Sequence, residues 1–191
     1  MRIVGGKHKG RELEAGADRR IRPTADRTRE AMFNILVHGD AYRTPMGQLP
    51  NNVRVLDVFA GTGALGLEAL SRGARHVTFI DDHPDSVKLI RLTAGTLKEI
   101  PKVTILQRDA QSPGRAPAPC QLVFLDPPYK LGIITAALVA LERDGWIDDQ
   151  AFAVAEISAK DEFATPPGYK LLDDRAYGAA RLLFLQREST L

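Results

Sequence analysis

Val53-Arg54-Val55-Leu56-Asp57-Val58-Phe59-Ala60-Gly61-Thr62-Gly63-Ala64-Leu65-Gly66-Leu67-Glu68-Ala69-Leu70 decides the fold of this 191-residue chain. Val53 to Val58 is a β-branched, largely apolar run, the composition of a short buried strand. Gly61, Gly63 and Gly66 fit G-x-G-x-x-G, where glycine lets the backbone take positive φ and approach a ligand closely. Leu65, Leu67, Ala69 and Leu70 continue as a helix. A strand, a glycine turn and a helix near the start of an α/β sheet bind a nucleotide at the carboxyl ends of the strands. The glycines alone fit NAD as readily as any other nucleotide. Asp57 and Phe59 argue against NAD. A dinucleotide fingerprint has its first glycine directly after the strand, whereas here an acid sits inside the strand, four positions before Gly61. A carboxylate there can accept a hydrogen bond from an ammonium group near the turn. S-adenosylmethionine (SAM) carries such an ammonium and no pyrophosphate. The plainer reading of Asp57 is a strand-end residue that caps the turn.

Downstream the pattern repeats. Strands are expected near residues 76–81, 103–107 and 121–126, helices near 64–72, 84–97 and 132–143, a fifth strand at 152–157 and a closing hairpin at 169–175 and 181–186. Each early strand ends on an acid. Asp81 lies twenty residues beyond Gly61, the spacing of an acid that binds ribose hydroxyls, with Asp82 beside it. Asp109, followed by Ala110, can accept from an adenine amino group. Any one of these is an ordinary turn aspartate on its own. Asp57, Asp81, Asp109 and Asp126 at four successive strand ends line one crevice of a parallel sheet.

The fourth strand runs into Asp126-Pro127-Pro128-Tyr129. Both prolines fix φ and lack an N–H, and each biases the residue before it towards extended backbone. Such a corner holds the Asp126 carboxylate and the Pro127 carbonyl as fixed acceptors, with the Tyr129 ring beside them. It suits a flat group with an exocyclic NH2. A Pro-Pro turn after a strand is the alternative.

The net charge is only +2, but residues 1–29 carry nine Lys/Arg against four acids, and the remainder is slightly acidic. A basic arm on such a body points to an anionic polymer held through its phosphates; a solvated basic segment is the alternative. One cysteine, Cys120, excludes an internal disulfide and fits a cytoplasmic location. The four histidines show no metal spacing, so no metal is expected. Met1 to Val4 begins no signal peptide, and no apolar run approaches the length of a membrane span. Arg2 to Leu13 is expected to form a hairpin. A helix capped by Thr24 should run to about His38, and Gly39 to Asn52 should form a linker.

The string D-x-F-A-G-T-G-A-L-G-L-E-A-L-S-R-G-A with D-P-P-Y resembles class I SAM-dependent methyltransferases that modify exocyclic amines. The N-terminal M-R-I-V-G-G-K-H-K-G-R and the segment I-R-P-T-A-D-R-T-R-E-A-M-F-N-I-L are similar to the RsmD family of bacterial methyltransferases acting on guanine N2 of small-subunit (16S) ribosomal RNA. The resemblance runs from Met1 to about Trp146. It departs at Asp81, where the family usually has Glu, at His83, where an acid is frequent, and in a longer, proline-richer stretch from Ala41 to Asn52.

The resemblance implies an α/β, Rossmann-like class I methyltransferase fold: a seven-stranded, mostly parallel sheet in the order 3-2-1-4-5-7-6, helices on both faces and the seventh strand antiparallel. It divides the chain into an RNA-binding hairpin and helix appendage (1–40) and a methyltransferase domain (41–191). It assigns SAM to Asp57, Phe59, Ala60, Gly61, Thr62, Gly63, Asp81, Asp82, Asp109 and Ala110, with Thr24 and Asn34 against the methionine end. Catalysis falls to Asp126, Pro127, Pro128 and Tyr129. Arg2, Lys7, Lys9, Arg11, Arg22, Arg27 and Arg29 would grip RNA phosphates beside the crevice. The partner would be small-subunit RNA or a 30S assembly particle, and the protein a monomer. A DNA adenine-N6 or protein-amide methyltransferase, or a non-enzymatic RNA-binding assembly factor on the same scaffold, are the competing readings. The first lacks room for a target-recognition domain, and the last predicts damaged motifs where these are intact.

Overall fold

A computed structural model of the chain describes residues 1–14, 26–128 and 132–188. The elements are α1 (Asp26–His38), β1 (Arg43–Thr44), β2 (Gly47–Gln48), β3 (Arg54–Val58), α2 (Ala64–Ser71), β4 (His76–Asp81), α3 (Pro84–Thr96), β5 (Val103–Gln107), β6 (Cys120–Leu125), α4 (Ile133–Arg143), β7 (Ile147–Ser158), β8 (Tyr169–Tyr177) and β9 (Ala180–Arg187). Seven strands form one sheet in the order β5-β4-β3-β6-β7-β9-β8. β3, β4, β5, β6 and β7 pair in parallel, and β9 runs antiparallel to both of its neighbours. In chain order this is the expected 3-2-1-4-5-7-6 arrangement, a Rossmann-like class I methyltransferase sheet.

Alternation along the strands divides the core in two, because successive side chains point to opposite faces. Val55, Val77, Phe79, Leu122 and Phe124 pack with Phe33, Leu36, Leu67, Leu70 and Ile90, from α1, α2 and α3. Leu56, Val58, Ile80, Val123 and Leu125 pack with Ile134, Leu138, Leu141 and Trp146, in or just after α4. Ile3 and Leu13 of the N-terminal arm lie in the first cluster with Met32, Phe33 and Leu36 of α1. Arm and first helix therefore share the sheet's core, and packing is continuous across the boundary expected at residue 40.

The stretch 39–52 is more than a linker. A 3-10 turn at Asp40–Tyr42 buries Tyr42 against Phe152 and Phe184, and the two-residue strands β1 and β2 pair behind it. β7 begins five residues earlier than expected, because Ile147 pairs with Cys120 before a register shift brings Phe152 opposite Leu122. The Pro113–Pro119 loop takes a hydrogen bond from the Trp146 indole N–H to the Gly114 carbonyl (2.6 Å).

Two ends of the sheet matter below. The carboxyl ends of β3 to β6 form its mouth. α2 and α3 run back from the mouth, and their C-termini lie at its foot.

Candidate active site

The mouth is built by the connection from β3 to α2. Phe59 takes left-handed backbone (φ 59°), as do Gly61 (55°) and Gly63 (76°), so the chain folds tightly over the end of β3. Left-handed backbone is unfavourable for a side chain as large as Phe59, and such strain concentrates at functional sites. Gly63 N–H donates to the Ala60 carbonyl (2.7 Å), and Ala60 N–H to the Ile80 carbonyl of β4 (3.2 Å). A Cβ on Gly63 would stand 2.8 Å from Ile90 Cγ1, and one on Gly66 2.3 Å from Phe79 Cε1. The glycines thus let α2 lie directly on β4 and keep the turn thin. Thr62 is buried within it.

Three carboxylates converge here. Asp57 is 1 % exposed, and its Oδ2 accepts the Gly66 N–H (2.8 Å). Burial pushes its carboxyl well above the ordinary range; the Gly66 hydrogen bond opposes this, and the charges of Asp126 and Asp81 add to it. Asp81 Oδ2 accepts the Gly61 N–H (2.8 Å) and its Oδ1 the His83 N–H (2.9 Å). Asp81 therefore braces the glycine turn from the end of β4, and an ionised carboxylate has lone pairs left for further donors. Val58 pairs with Leu125, so Asp126 emerges one residue beyond the end of β6, beside the turn. Asp126 and Pro127 are half-buried and Pro128 is exposed.

The remaining expected cofactor residues rim this mouth. Asp82 is exposed after β4, and its carbonyl accepts from Gln107 Nε2 (3.3 Å). Asp109 is exposed, and its Oδ1 accepts the Gln111 N–H (2.8 Å); Ala110 is buried under it. Asn34 stands on the exposed stripe of α1 with Arg27, Glu30 and His38. Thr24, Arg22 and Tyr129 lie outside the described residues. Among the described residues no group of three His, Cys, Asp or Glu side chains could hold a metal ion, and no helix is long and apolar enough to cross a membrane.

One of the expected RNA contacts needs correction. Arg29 is fully buried and cannot reach a phosphate. Its Nη2 donates to the Arg2 carbonyl and to Asp26 Oδ1 (2.9 Å), and its Nε faces Glu68 Oε2 (3.4 Å). Met32, Phe33 and Leu36 define the buried stripe of α1, and a residue three or four positions before them falls on the same stripe. That spacing was the available signal. Glu68 is also fully buried, accepting from Val4 N–H (2.9 Å) and Arg72 Nε (2.8 Å) as well, while the Arg72 guanidinium lies 4.9 Å from the Phe33 ring centre. Sequence reading passed over Glu68, although an acid inside an otherwise apolar helix was a visible anomaly.

The arm's tip sits at the foot, away from the mouth. Ser71 Oγ, at the C-terminus of α2, donates to the Gly5 carbonyl (2.5 Å) and accepts the His8 N–H (2.9 Å). A Cβ on Gly6 would meet the Ser71 carbonyl oxygen at 1.9 Å, so only glycine allows this approach. The His8 ring lies 2.7 Å from Glu99 Oε1, and Lys7 pairs with the same carboxylate. Arg2 is exposed and pairs with Glu12 (3.2 Å); Lys9, Arg11 and Arg27 are exposed.

The sequence profile of a family described as Conserved hypothetical protein 95 matches residues 1–186. Ribosomal RNA small subunit methyltransferase D of Escherichia coli K12 is 34% identical over 192 residues, spanning 99% of this chain and 91% of that protein. The chain belongs to the RsmD family. The solved structure of the Escherichia coli protein YhhF superposes with a TM-score of 0.82 at 31% identity, covering 100% of this chain and 99% of that one. Magnesium protoporphyrin IX methyltransferase of Synechocystis, solved with SAM bound, shares the fold alone (TM-score 0.61, 14% identity, 85% and 79% of the two chains). The chain thus has the sheet order of a SAM-type methyltransferase fold.

Proposed function

We propose that this RsmD-family protein transfers a methyl group from SAM to the exocyclic N2 of a guanine in small-subunit (16S) ribosomal RNA, in the cytoplasm and during ribosome assembly. The observation that carries the reading is the placement of Asp126 and Pro127 at the end of β6, one strand away from a glycine turn braced by Asp57 and Asp81. The turn fits SAM: its positive-φ glycines leave backbone open to a ligand, and Asp81, half-buried at its edge, is placed to accept from hydroxyls. Bound SAM supplies a methyl group made electrophilic by the sulfonium.

The protein's part is positional and electrostatic. Asp57 fixes the first turn of α2, and Asp81 stands where ribose hydroxyls would be held. Asp109 would accept from the adenine amino group. A guanine N2 is a poor nucleophile because its lone pair is delocalised into the ring. Hydrogen bonds from the NH2 to the Asp126 carboxylate and the Pro127 carbonyl localise that pair and aim it at the methyl. The base must leave its stack to reach this corner, where Tyr129 would receive it. The N2–C bond forms as the S–C bond breaks, and the N2 proton passes to solvent. Arg2, Lys9, Arg11 and Arg27 are exposed cations suited to phosphates.

The test is transfer of tritium from labelled SAM to unmethylated small-subunit RNA and to 30S particles, with digestion to identify the base. Label in N2-methylguanine is expected. Label in another base, or none in RNA, refutes the assignment.

A further inference from the structure

The outer face of α3 and the connection behind it play no part in the mouth, and beyond Asp85, which pairs with Lys88 (3.3 Å), their exposed charges are all of one sign. Residues 86–102 carry Lys88, Arg91, Lys98 and Lys102, and the single acid among them, Glu99, is buried under the arm. Lys88, Arg91, Leu92, Gly95 and Thr96 line a shallow open groove on α3. Lys98 and Lys102 are exposed beyond its lower end. Glu99 joins this segment to the arm by taking Lys7 and His8, so the exposed Lys9 continues the same positive surface at the foot.

Two backbone features set the groove apart from an ordinary solvated helix face. Gly95 lies inside α3, and a Cβ there would meet nothing within 4 Å, so no packing within the protein calls for glycine. Glycine weakens a helix, and on an exposed face it also lets an outside partner come close to the backbone. Lys98 holds left-handed backbone (φ 60°) just past the helix end, where Glu99 N–H closes back on the Ala94 carbonyl (2.8 Å). Glycine is the usual residue at such a position; here a cation is kept there instead.

We propose that this track, from Lys88 near the mouth down α3 through Arg91 to Lys98 and Lys102 at the foot, is a second docking surface for the phosphate backbone of the structured RNA. α3 has thirteen residues, so the track extends about 20 Å from the mouth. It therefore contacts RNA well removed from the reacting base, with Gly95 as its point of closest approach. The inference rests on the RNA reading above and adds to it a surface that only a large, folded substrate reaches.

The experiment compares wild type with the variant Arg91→Glu/Lys98→Glu/Lys102→Glu, using a full small-subunit RNA transcript and a short stem-loop cut around the nucleotide methylated in the tritium assay. For the transcript, affinity should fall at least tenfold, and the slope of log K against log salt should flatten by roughly 0.7–0.9 per lost phosphate contact. SAM affinity and methylation of the stem-loop should be unchanged. Gly95→Ala should leave the fold as stable or more so while weakening the transcript alone. Unaltered transcript affinity and salt slope in the triple variant would overturn the proposal. So would an equal loss on the stem-loop, which would place the contacts at the mouth. Binding of polyglutamate as tight as RNA, through the same three cations, would reassign the face to an acidic protein. Absence of methyl transfer by wild type sinks the enzymatic reading, while transcript binding still decides the track.

Discussion

Replacing Glu68 by alanine removes the acceptor at the centre of a buried charge cluster. Arg29 and Glu68 are both fully buried, and Arg72 is largely so. After the change Val4 N–H loses its acceptor, Arg72 loses its partner, and the Arg29 guanidinium keeps Asp26 and the Arg2 carbonyl. Breaking a buried pair from one side costs about 3–5 kcal/mol, because it strands the other charge. The surviving contacts of Arg29 hold the cost near the lower figure, and the orphaned Val4 N–H raises it again. For a domain of this size each kcal/mol lowers Tm by about 2–4 °C, so a drop of roughly 6–20 °C is expected. Urea unfolding followed by far-UV circular dichroism and tryptophan fluorescence reads the loss directly. Glu68→Gln keeps one oxygen acceptor and should fall between the two. If Glu68→Ala unfolds within 1 kcal/mol of wild type, the cluster does not bind the arm and α1 to α2, and the account of the N-terminal region is wrong.

Asp126→Ala should leave SAM affinity almost intact while single-turnover methylation falls on the order of a hundredfold or more, as when one positioned partner of a reacting group is lost; wild-type rates would remove Asp126 from the chemistry. Asp57→Asn keeps an oxygen for the Gly66 N–H and removes a charge that burial disfavours. Because the folded carboxyl titrates above its ordinary value of 3.8, its contribution to stability is full below that pH and is lost as pH rises through the folded value. The variant should therefore match wild type in urea titrations near pH 3.5 and exceed it at pH 8, and equal stabilities at pH 8 would count against the buried, raised carboxyl. Burial pushes the Cys120 thiol up to about 12, so it should resist DTNB in the native protein and react at once in denaturant; rapid native labelling would contradict its place in the core.

The sheet was legible because its elements are long and strongly patterned. The β3 to α2 stretch, the four strand-end acids and the closing hairpin all appear where apolar periodicity and glycines put them. Arg29 was misread because its charge was weighed and its position was not; the stripe Arg29, Met32, Phe33, Leu36 turns it inwards. Asp57 carries the plainer of its two readings, a tie to the start of α2, because only the packed helix shows that Gly66 N–H points at it. The arm's seat at the foot was not legible at all. It is made by backbone groups of Val4, Gly5 and His8, which carry no sequence signal, with side chains more than sixty residues away. Two-residue strands such as β1 and β2 are too short to show a period, and the Asp148-Asp149-Gln150 start of β7 reads as loop until its register shift is seen.

That seat has a consequence for the order of events on the ribosome. Residues 1–14 are synthesised ahead of every group that holds them: Glu68 is 64 positions after Val4, and Glu99 is 91 after His8. At typical translation rates the hairpin waits on the order of ten seconds before its last anchor exists. Through that interval a short segment with four Lys/Arg against two Glu is exposed beside a particle made largely of RNA. Its glycines and lysines are then free to meet nucleic acid before they meet the enzyme, and synthesis of Glu99, just beyond α3, supplies the last anchor that draws them back into the fold.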